Sequence, residues 1–467
     1  MIGKSNGGRG ATRRQVLGLA AGAVAAPYVL RSWARPAAAQ AAAGAEAPLN
    51  VVYVFTDQQR FMRSWPRGFE LPGLEWLQAK GTSFVNHYTS AIMCSPSRAV
   101  MMTGLQSPDN GIFDNFDMAY VPEMTGVQTV GHMLRKAGYY TAYKGKWHLG
   151  RAFDTEEIGA PLTEQMEAFG FSDYHAPGDL IGHTLGGYSY DHIIAGGAIN
   201  WLRTKGRPLT DDGKPWGLFV SLVNPHDVMY FNTDAPGESV QDSGKLLMLA
   251  AGAPDHELYR ATWDIEVPAN LRQPFDAAGR PKAHGEFDRV WDYVLGHIPL
   301  EDERWLRFNN YYLNCIRSVD LQLKLLFEEI EALGLADRTV VVFTADHGEA
   351  AGAHGLRGKG PFAYEEALHV PFHVVHPGVS GGQQCRAVTS HVDLVPTLLS
   401  VAGQDEQRRA EIAGRTLPGK DITSLLSAPG AQPADALRDG ALFTFSALAT
   451  VDSGVFGFAA QAMAAGK

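Results

Sequence analysis

Cysteine is scarce in this chain, with three residues among 467, which is too few for a disulfide framework. Positive charge is also in short supply, since 40 lysines and arginines stand against 50 aspartates and glutamates, for a net charge of −10. The chain therefore lacks the clustered basic charge that a nucleic-acid-binding surface needs. The apolar stretch Val16–Leu30 is too short to cross a membrane. The remaining composition, 45% hydrophobic and 19% charged, is that of an ordinary globular protein.

The first 39 residues have the features of an export signal. Arg13 and Arg14 precede the apolar stretch, and the small residues Ala37–Ala39 follow it as a cleavage site. The pattern predicts a twin-arginine signal peptide over residues 1–39 and a linker over residues 40–48. The alternative is a basic, alanine-rich disordered tail. The signal predicts a periplasmic or secreted protein, with the twin-arginine translocase as a partner.

Nearly continuous apolar runs recur along the chain and alternate with helical patterns. Runs of this kind predict strands that are covered on both faces, and they lie at Leu49–Thr56, Gly217–Val223, Thr339–Thr344 and Val370–Val375. The helical patterns lie at Thr129–Ala137, Arg304–Leu333 and Val392–Ala402. The alternation predicts the α/β class, with a doubly wound sheet between helices. Residues 150–215 and 232–300 are expected to be long insertions that shape specificity.

Polar pairs follow two of the predicted strands. Asp57 and Gln58 come after the first strand, and Asp346 and His347 come after the strand Thr339–Thr344. Because ligand sites in open α/β sheets lie beyond the carboxyl ends of the strands, the two pairs are expected to converge. Two carboxylates, an amide oxygen and an imidazole predict one divalent cation, with Ca²⁺ or Mg²⁺ favoured by the oxygens and Mn²⁺ by the imidazole.

Residues 94–98 spell Cys-Ser-Pro-Ser-Arg, and three further blocks follow in the chain. They are Gly145–Gly150 (Gly-Lys-Trp-His-Leu-Gly), Asn224–Asp227 (Asn-Pro-His-Asp) and Gly358–Gly360 (Gly-Lys-Gly). Together with the two polar pairs, and in this order, they resemble the motifs of the sulfatase family. The resemblance covers roughly Leu49 to Ala402. It implies an alkaline-phosphatase-like fold with a mostly parallel sheet flanked by helices, and Ca²⁺ as the expected cation.

The resemblance also implies the identity of the nucleophile. Sulfatases oxidise the cysteine of this motif to formylglycine, an aldehyde, with dedicated modifying machinery, which would make Cys94 the converted residue. An unmodified thiol is a poor match for a hard, oxygen-binding cation. Arg98 would support the hydrated aldehyde. Of the other cysteines, Cys315 is expected to be a small buried residue, and a pairing of Cys315 with Cys385 is left open.

Four more residues are carried over from the matched motifs. Lys146 would bind a sulfate oxygen, and Lys359 would bridge the sulfate and the leaving oxygen. His148 would orient a hydroxyl of the hydrated aldehyde or take its proton, and His226 would contact the sulfate or protonate the leaving oxygen. Lys144, in the same block as Lys146, is interpreted as a solvated surface lysine.

The polar pairs depart from the family's usual Asp-Asp and Asp-Asn. Asp-Gln and Asp-His resemble the branch that holds choline sulfatases and phosphonate monoester hydrolases. The leading hypothesis is hydrolysis of a small-molecule or carbohydrate sulfate ester to an alcohol and sulfate. The alternatives are a phosphonate monoester or phosphodiester hydrolase with the same nucleophile, and a non-catalytic protein that binds sulfated glycans. No nucleic-acid partner is expected, and the oligomeric state is not predicted.

The predicted catalytic domain spans residues 49–430, and residues 431–467 are interpreted as a C-terminal remnant. The family usually closes with a small antiparallel sheet and a packed helix. Residues 441–467 are instead rich in alanine and glycine, without a clear series of strands. The C-terminal subdomain is therefore expected to be short or missing.

Overall fold

A computed structural model describes residues 48–116, 118, 120–124, 126–153, 161–175, 178–179, 183–242, 250–447 and 453–454. The predicted signal peptide and most of the predicted linker lie outside the described residues. Within the described part of the chain, no helix is both long and apolar enough to cross a bilayer.

Nine strands form along the described chain. They are β1 (Asn50–Asp57), β2 (Thr82–Phe84), β3 (His87–Tyr88), β4 (Tyr140–Gly145), β5 (Trp216–Pro225), β6 (Thr339–Ala345), β7 (Phe372–Val375), β8 (Gln383–Cys385) and β9 (Thr389–Ser390). Each of the four predicted apolar runs overlaps a strand. The sequence patterns missed β4, a six-residue strand interrupted by the charged Lys144.

Seven of these strands form one sheet in the order β4-β5-β1-β6-β7-β2-β8, and β3 pairs with β9 separately. The central strand β1 is parallel to both β5 and β6, and β4 is parallel to β5. Strand β7 is antiparallel to its neighbours β6 and β2. The sheet is therefore mostly parallel, as expected, and β4 lies at one edge of it.

Helices connect the strands. They are α1 (Pro72–Lys80), α2 (Cys94–Thr103), α3 (Ser107–Asn110), α4 (Val130–Lys136), α5 (Pro161–Glu167), α6 (Gly186–Trp201), α7 (Arg207–Asp211), α8 (Glu257–Arg260), α9 (Lys282–Leu295), α10 (Asp302–Ala332), α11 (Glu365–Leu368), α12 (Leu394–Val401) and α13 (Glu406–Ala413). Residues 202–206 add a π-helical turn between α6 and α7. The predicted insertions are not only loops, because α6 and α9 lie within them.

Both faces of the sheet are buried. Alternate residues of β1 belong to different apolar clusters: Tyr53 and Phe55 pack with one, and Val52 and Val54 with the other. Helices α6 and α10 contact β5 on the Val52 side, while α4 and α12 contribute to the Tyr53 cluster. Because β1 is covered on both faces, its middle residues Val51–Phe55 are apolar at every position, and they form a continuous hydrophobic run.

Candidate active site

The two predicted polar pairs converge at the carboxyl end of the sheet. Asp57 is the last residue of β1, and Asp346 directly follows β6. The two strands run parallel with Thr56 beside Ala345, and the amide of Asp346 donates to the carbonyl of Thr56 at 3.1 Å. Asp57, Asp346 and His347 are fully buried.

Cys94 lies against these residues at the first position of α2. Its Sγ is 3.3 Å from Nε2 of His347 and 3.7 Å from Oδ1 of Asp57. The motif's two serines fasten the helix: Ser95 Oγ donates to the carbonyl of His148 at 2.7 Å, and Ser97 Oγ donates to the carbonyl of Asp346 at 2.5 Å. These two hydrogen bonds fix the start of α2, and with it Cys94, between the segment at His148 and the segment at Asp346.

Arg98 lies one turn further along α2 and bridges the two carboxylates. Its Nη2 is 2.9 Å from Oδ2 of Asp57, and its Nε is 3.0 Å from Oδ2 of Asp346. Its Nη1 donates to the carbonyl of Lys146 at 2.9 Å and to Oγ of Ser221 at 2.8 Å. Burial lowers the pKa of Arg98, but the two carboxylates outweigh it and raise that pKa above its ordinary value. Arg98 therefore braces the acidic pair.

Lys146 completes the cationic side of the cluster. Its Nζ is 2.7 Å from Oδ2 of Asp57, and its side chain is buried. Burial raises the pKa of Asp57, but four surrounding groups outweigh it and hold that pKa well below its ordinary value. In order of effect they are Lys146, His226, Arg98 and Lys359. The electrostatic neighbourhood of Asp57 therefore includes residues from four separate segments of the chain.

His148 follows β4 in a left-handed backbone conformation, with φ of 56°. Asp179, which the sequence patterns missed, holds this turn: its carboxylate accepts from the amides of Trp147 and His148, each at 2.7 Å. Burial, and then Lys146 and Arg98, hold the pKa of His148 well below its ordinary value. His148 is therefore neutral near pH 7.

His226 follows β5 and is held by two buried aspartates. Asp227 accepts from the amides of Gly187 and Tyr188 at the start of α6, at 2.8 and 2.9 Å. Asp191, on α6, accepts in return from the amides of Val223 and Asn224 at 2.6 and 2.9 Å.

This reciprocal pair of contacts fastens the end of β5 to α6. His226 is itself buried, and its Nδ1 has no hydrogen-bond partner among the described residues. Burial, followed by Lys146, holds the pKa of His226 well below its ordinary value.

Gln58 joins Lys359 to a further residue that the sequence patterns missed, Glu349. Lys359 Nζ donates to Oε1 of Gln58 at 2.6 Å, and Nε2 of Gln58 donates to Oε2 of Glu349 at 2.5 Å. The other carboxylate oxygen of Glu349 accepts from the amides of Ala351 and Gly358 at 2.8 and 2.6 Å. Its place two residues after His347 was the one available sequence signal. All three joined side chains are fully buried.

The donor atoms fit a divalent cation. One ligand atom from each of Asp57, Cys94, Asp346 and His347 lies within 4.8 Å of the others. Nδ1 of His347 is 3.0 Å from the carbonyl of Gly348, so a proton on Nδ1 leaves the lone pair of Nε2 directed into the cluster.

The two oxygens of each carboxylate have different neighbours. Oδ2 of Asp57 and of Asp346 binds the cationic side chains, while Oδ1 of each lies 3.6–3.7 Å from Nε2 of His347. Burial, and then the charge of Asp57, raises the pKa of Asp346. A cation between the two inner oxygens would relieve that repulsion.

The structure contradicts the sequence-based expectation for Lys144 and confirms the one for Cys315. Lys144 is not a surface residue, because its side chain is only 7% exposed. That interpretation was wrong, since α6 packs over the edge of the sheet where Lys144 lies. Cys315 is buried, as expected, and neither it nor Cys385 is in a disulfide.

Comparison with known proteins gives one consistent match. The family model described as Sulfatase matches residues 49–404. Among curated proteins, the chain is 26% identical to an N-acetylglucosamine-6-O-sulfatase of Bacteroides thetaiotaomicron, over 83% of this chain and 72% of that protein. It is 27% identical to the choline-sulfatase of Rhizobium meliloti, over 76% of this chain and 67% of that protein.

Solved structures with the same fold include the phosphonate monoester hydrolase of Silicibacter pomeroyi, with a TM-score of 0.58 at 21% identity, covering 83% of this chain and 78% of that one. Another is a protein in complex with its substrate D-glucosamine-2-N,6-O-disulfate, also with a TM-score of 0.58, at 22% identity, covering 83% and 82% of the two chains. At these identities the structures establish the alkaline-phosphatase-like fold.

Proposed function

We propose that this chain, which belongs to the sulfatase family, hydrolyses the sulfate ester of a carbohydrate or another small alcohol. The reaction is R–O–SO₃⁻ plus water to R–OH plus hydrogen sulfate. The observation that carries the proposal is the buried cluster in which Cys94 lies against Asp57 and His347. The names of the two relatives support a sulfate ester of an amino sugar or of choline as the substrate class.

The nucleophile is proposed to be the hydrated formylglycine formed from Cys94. That group supplies two hydroxyls on one carbon, so that one can attack sulfur and loss of the other's proton can release sulfate and restore the aldehyde. Sulfur at position 94 suits an oxygen-binding cation poorly, whereas oxygen suits it well. Support for this step comes from the 3.3 Å separation between Sγ and Nε2 of His347.

Asp57, Asp346 and His347 would hold the cation, with Gln58 at their side. When bound, a divalent cation offsets charge on the transferred group and favours ionisation of a nearby hydroxyl. Arg98 bridges the two carboxylates and favours the ionised form of each. Lys146 pairs with the outer oxygen of Asp57 and would bind a sulfate oxygen.

The histidines and Lys359 are proposed to act on protons and on the leaving oxygen. The low pKa of His148 keeps its imidazole neutral and so able to accept a proton from the hydrated aldehyde. His226 is neutral for the same reason and can contact the transferred group through a ring nitrogen. Lys359, tied to Gln58, would donate to the leaving alkoxide oxygen.

Phosphonate monoesters and phosphate diesters carry the same single negative charge as a sulfate monoester, so the same cationic side chains serve them. Hydrolysis of these phosphorus esters is therefore the second candidate, because the Asp57-Gln58 and Asp346-His347 pairs resemble the branch that includes phosphonate monoester hydrolases. A panel of nitrophenyl sulfate, a nitrophenyl phosphate diester and a nitrophenyl phenylphosphonate should give the highest kcat/KM for the sulfate. A higher value for either phosphorus ester would reassign the reaction.

The nucleophile is tested separately. Trypsin should release residues 81–98 as one peptide, and its mass in active enzyme should correspond to formylglycine at Cys94. Cys94→Ala should remove nearly all turnover and leave the fold intact, as judged by circular dichroism. Active enzyme in which Cys94 carries only an unmodified thiol would contradict the mechanism.

A further inference from the structure

A second cavity lies beside the edge strand β4, away from the catalytic cluster. Its volume is about 270 Å³, and it is lined by residues of β4, α6 and the π-helical turn, together with Asp173 and His175. Its lining includes Lys144, Ile193, Ile194, Gly197 and Trp201. None of its lining residues belongs to the site described above, so the proposed sulfatase reaction does not use it.

A buried lysine lines this cavity. Lys144 is only 7% exposed, and its Nζ donates to the backbone carbonyl of Asp173. Within the described residues, no carboxylate lies at ion-pair distance from this nitrogen. An ammonium has three N–H donors, and a neutral carbonyl accepts only one of them. A buried charge is costly unless it is paired, and burial accordingly lowers the pKa of Lys144 to about 8.

The neighbouring carboxylate is already occupied by other donors. Oδ2 of Asp173 accepts from the hydroxyl of Tyr140 at 2.9 Å and from Nε1 of Trp201 at 2.8 Å. Its Oδ1 lies 3.6 Å from Nζ of Lys205. Burial raises the pKa of Asp173, and Lys205 and Lys144 both lower it, so a single carboxylate serves two ammonium groups and these three side chains carry a net positive charge.

Part of the remaining wall is apolar, although His175, Asn200 and Thr204 also line the cavity. Ile193, Ile194 and Trp201 line the cavity together with Tyr190. Gly197 extends the space, because a Cβ built on it meets no atom within 4 Å. A buried cation at one side and an aromatic and aliphatic wall at the other match a ligand with a charged head and a flat apolar body.

We propose that this cavity binds a small organic monoanion, whose head pairs with Lys144 and whose apolar body lies against Ile193, Ile194 and Trp201. A carboxylate and a sulfate monoester share the required chemistry. An anion at this position supplies a charged acceptor in addition to the carbonyl of Asp173.

Two adjacent glycines of α6 provide a matched pair of variants. Gly196 and Gly197 both leave open space around a Cβ, but only Gly197 lines the cavity. Gly197→Leu should fill the cavity, while Gly196→Leu makes the same chemical change outside it. Lys144→Met removes the charge and keeps much of the side-chain volume.

The probes are benzoate, phenyl sulfate and the neutral isostere benzyl alcohol, measured by titration calorimetry on the full chain. Phenyl sulfate is titrated into Cys94→Ala protein so that turnover does not contribute heat. Wild type and Gly196→Leu should bind benzoate alike, and Gly197→Leu and Lys144→Met should each weaken binding by about tenfold or more. Benzyl alcohol should bind the wild type more weakly than benzoate does.

Comparing benzoate with phenyl sulfate shows whether the cavity prefers a carboxylate or a sulfate ester. Benzoate weakened by Gly197→Leu, with phenyl sulfate unaffected by it, assigns the cavity to carboxylates, and the reverse assigns it to sulfate esters. Absence of benzoate and phenyl sulfate binding up to about 10 mM would overturn the proposal. Equal affinities in Gly197→Leu and Gly196→Leu for both anions would also overturn it, because any binding would then lie elsewhere.

Discussion

Replacing Glu349 with glutamine should break a buried, directional chain of hydrogen bonds. In the native order, Lys359 donates to the oxygen of Gln58, and the amide nitrogen of Gln58 donates to Glu349. A glutamine at position 349 can turn its oxygen to the amides of Ala351 and Gly358, which it must keep satisfied. Its NH₂ group then meets the NH₂ group of Gln58, and two donors face each other.

Either outcome for Gln58 is unfavourable. If its amide stays, the donor–donor contact remains; if it flips, its NH₂ group faces the ammonium of Lys359 instead. A hydrogen bond to a charged group contributes about 1.5–3 kcal/mol, so the variant should lose about 2–3 kcal/mol of unfolding free energy. Displacement of Lys359 by about 1 Å should lower kcat for a sulfate ester by about 10²-fold.

A second substitution should restore the order. With Gln58→Glu added, one carboxylate oxygen accepts from the glutamine at position 349 and the other accepts from Lys359. Urea unfolding of the wild type, both single variants and the double variant gives a complete cycle, and we expect a favourable coupling of about 2 kcal/mol. Strictly additive losses, with no recovery in the double variant, would refute the directional chain from Lys359 to Glu349.

Three other predictions concern the metal, the leaving group and pH. Chelation should abolish turnover until Ca²⁺, Mn²⁺ or Mg²⁺ is restored, and Asp346→Asn should cost more activity than Gln58→Asn because it removes a charge; full activity without metal would contradict this. Lys359→Met should impair substrates with poor leaving groups more than nitrophenyl sulfate, and equal losses would limit Lys359 to binding sulfate. Burial lowers the pKa of His373 to about 4 from 6.5, so the unfolded chain takes up this proton first and stability should fall by up to about 3 kcal/mol as pH drops from 6.5 to 4. His373→Asn, which can still bond Ser83, should flatten that slope in urea unfolding, and an unchanged slope would assign the loss to other groups.

The order of the motifs and the main strands could be predicted from the sequence because their causes are local. A strand buried on both faces is apolar along most of its length, so β1 and β6 were recognisable as apolar runs. The polar residues that end such strands meet at one edge of a parallel sheet, and this rule alone predicts that Asp57 and Asp346 lie together. The family match over residues 49–404 is consistent with that interpretation.

The residues that hold the site residues in place act through contacts between distant segments, and only the tertiary structure shows them. Asp179 acts on the amides of Trp147 and His148, about 30 residues earlier, and Glu349 acts on Gln58, 291 residues away. No periodic sequence pattern marks a buried carboxylate that binds backbone amides. Its partners are set by how the loops pack, because almost every residue carries the same amide whatever its side chain.

The same reason applies to the edge of the sheet. From the sequence, Lys144 resembles a surface lysine, since a charged residue in a short strand is usually solvated. Packing of α6 over β4 buries it and leaves its ammonium with a single carbonyl acceptor among the described residues. Burial at an edge strand depends on which helix covers that edge, and this is a property of the fold as a whole.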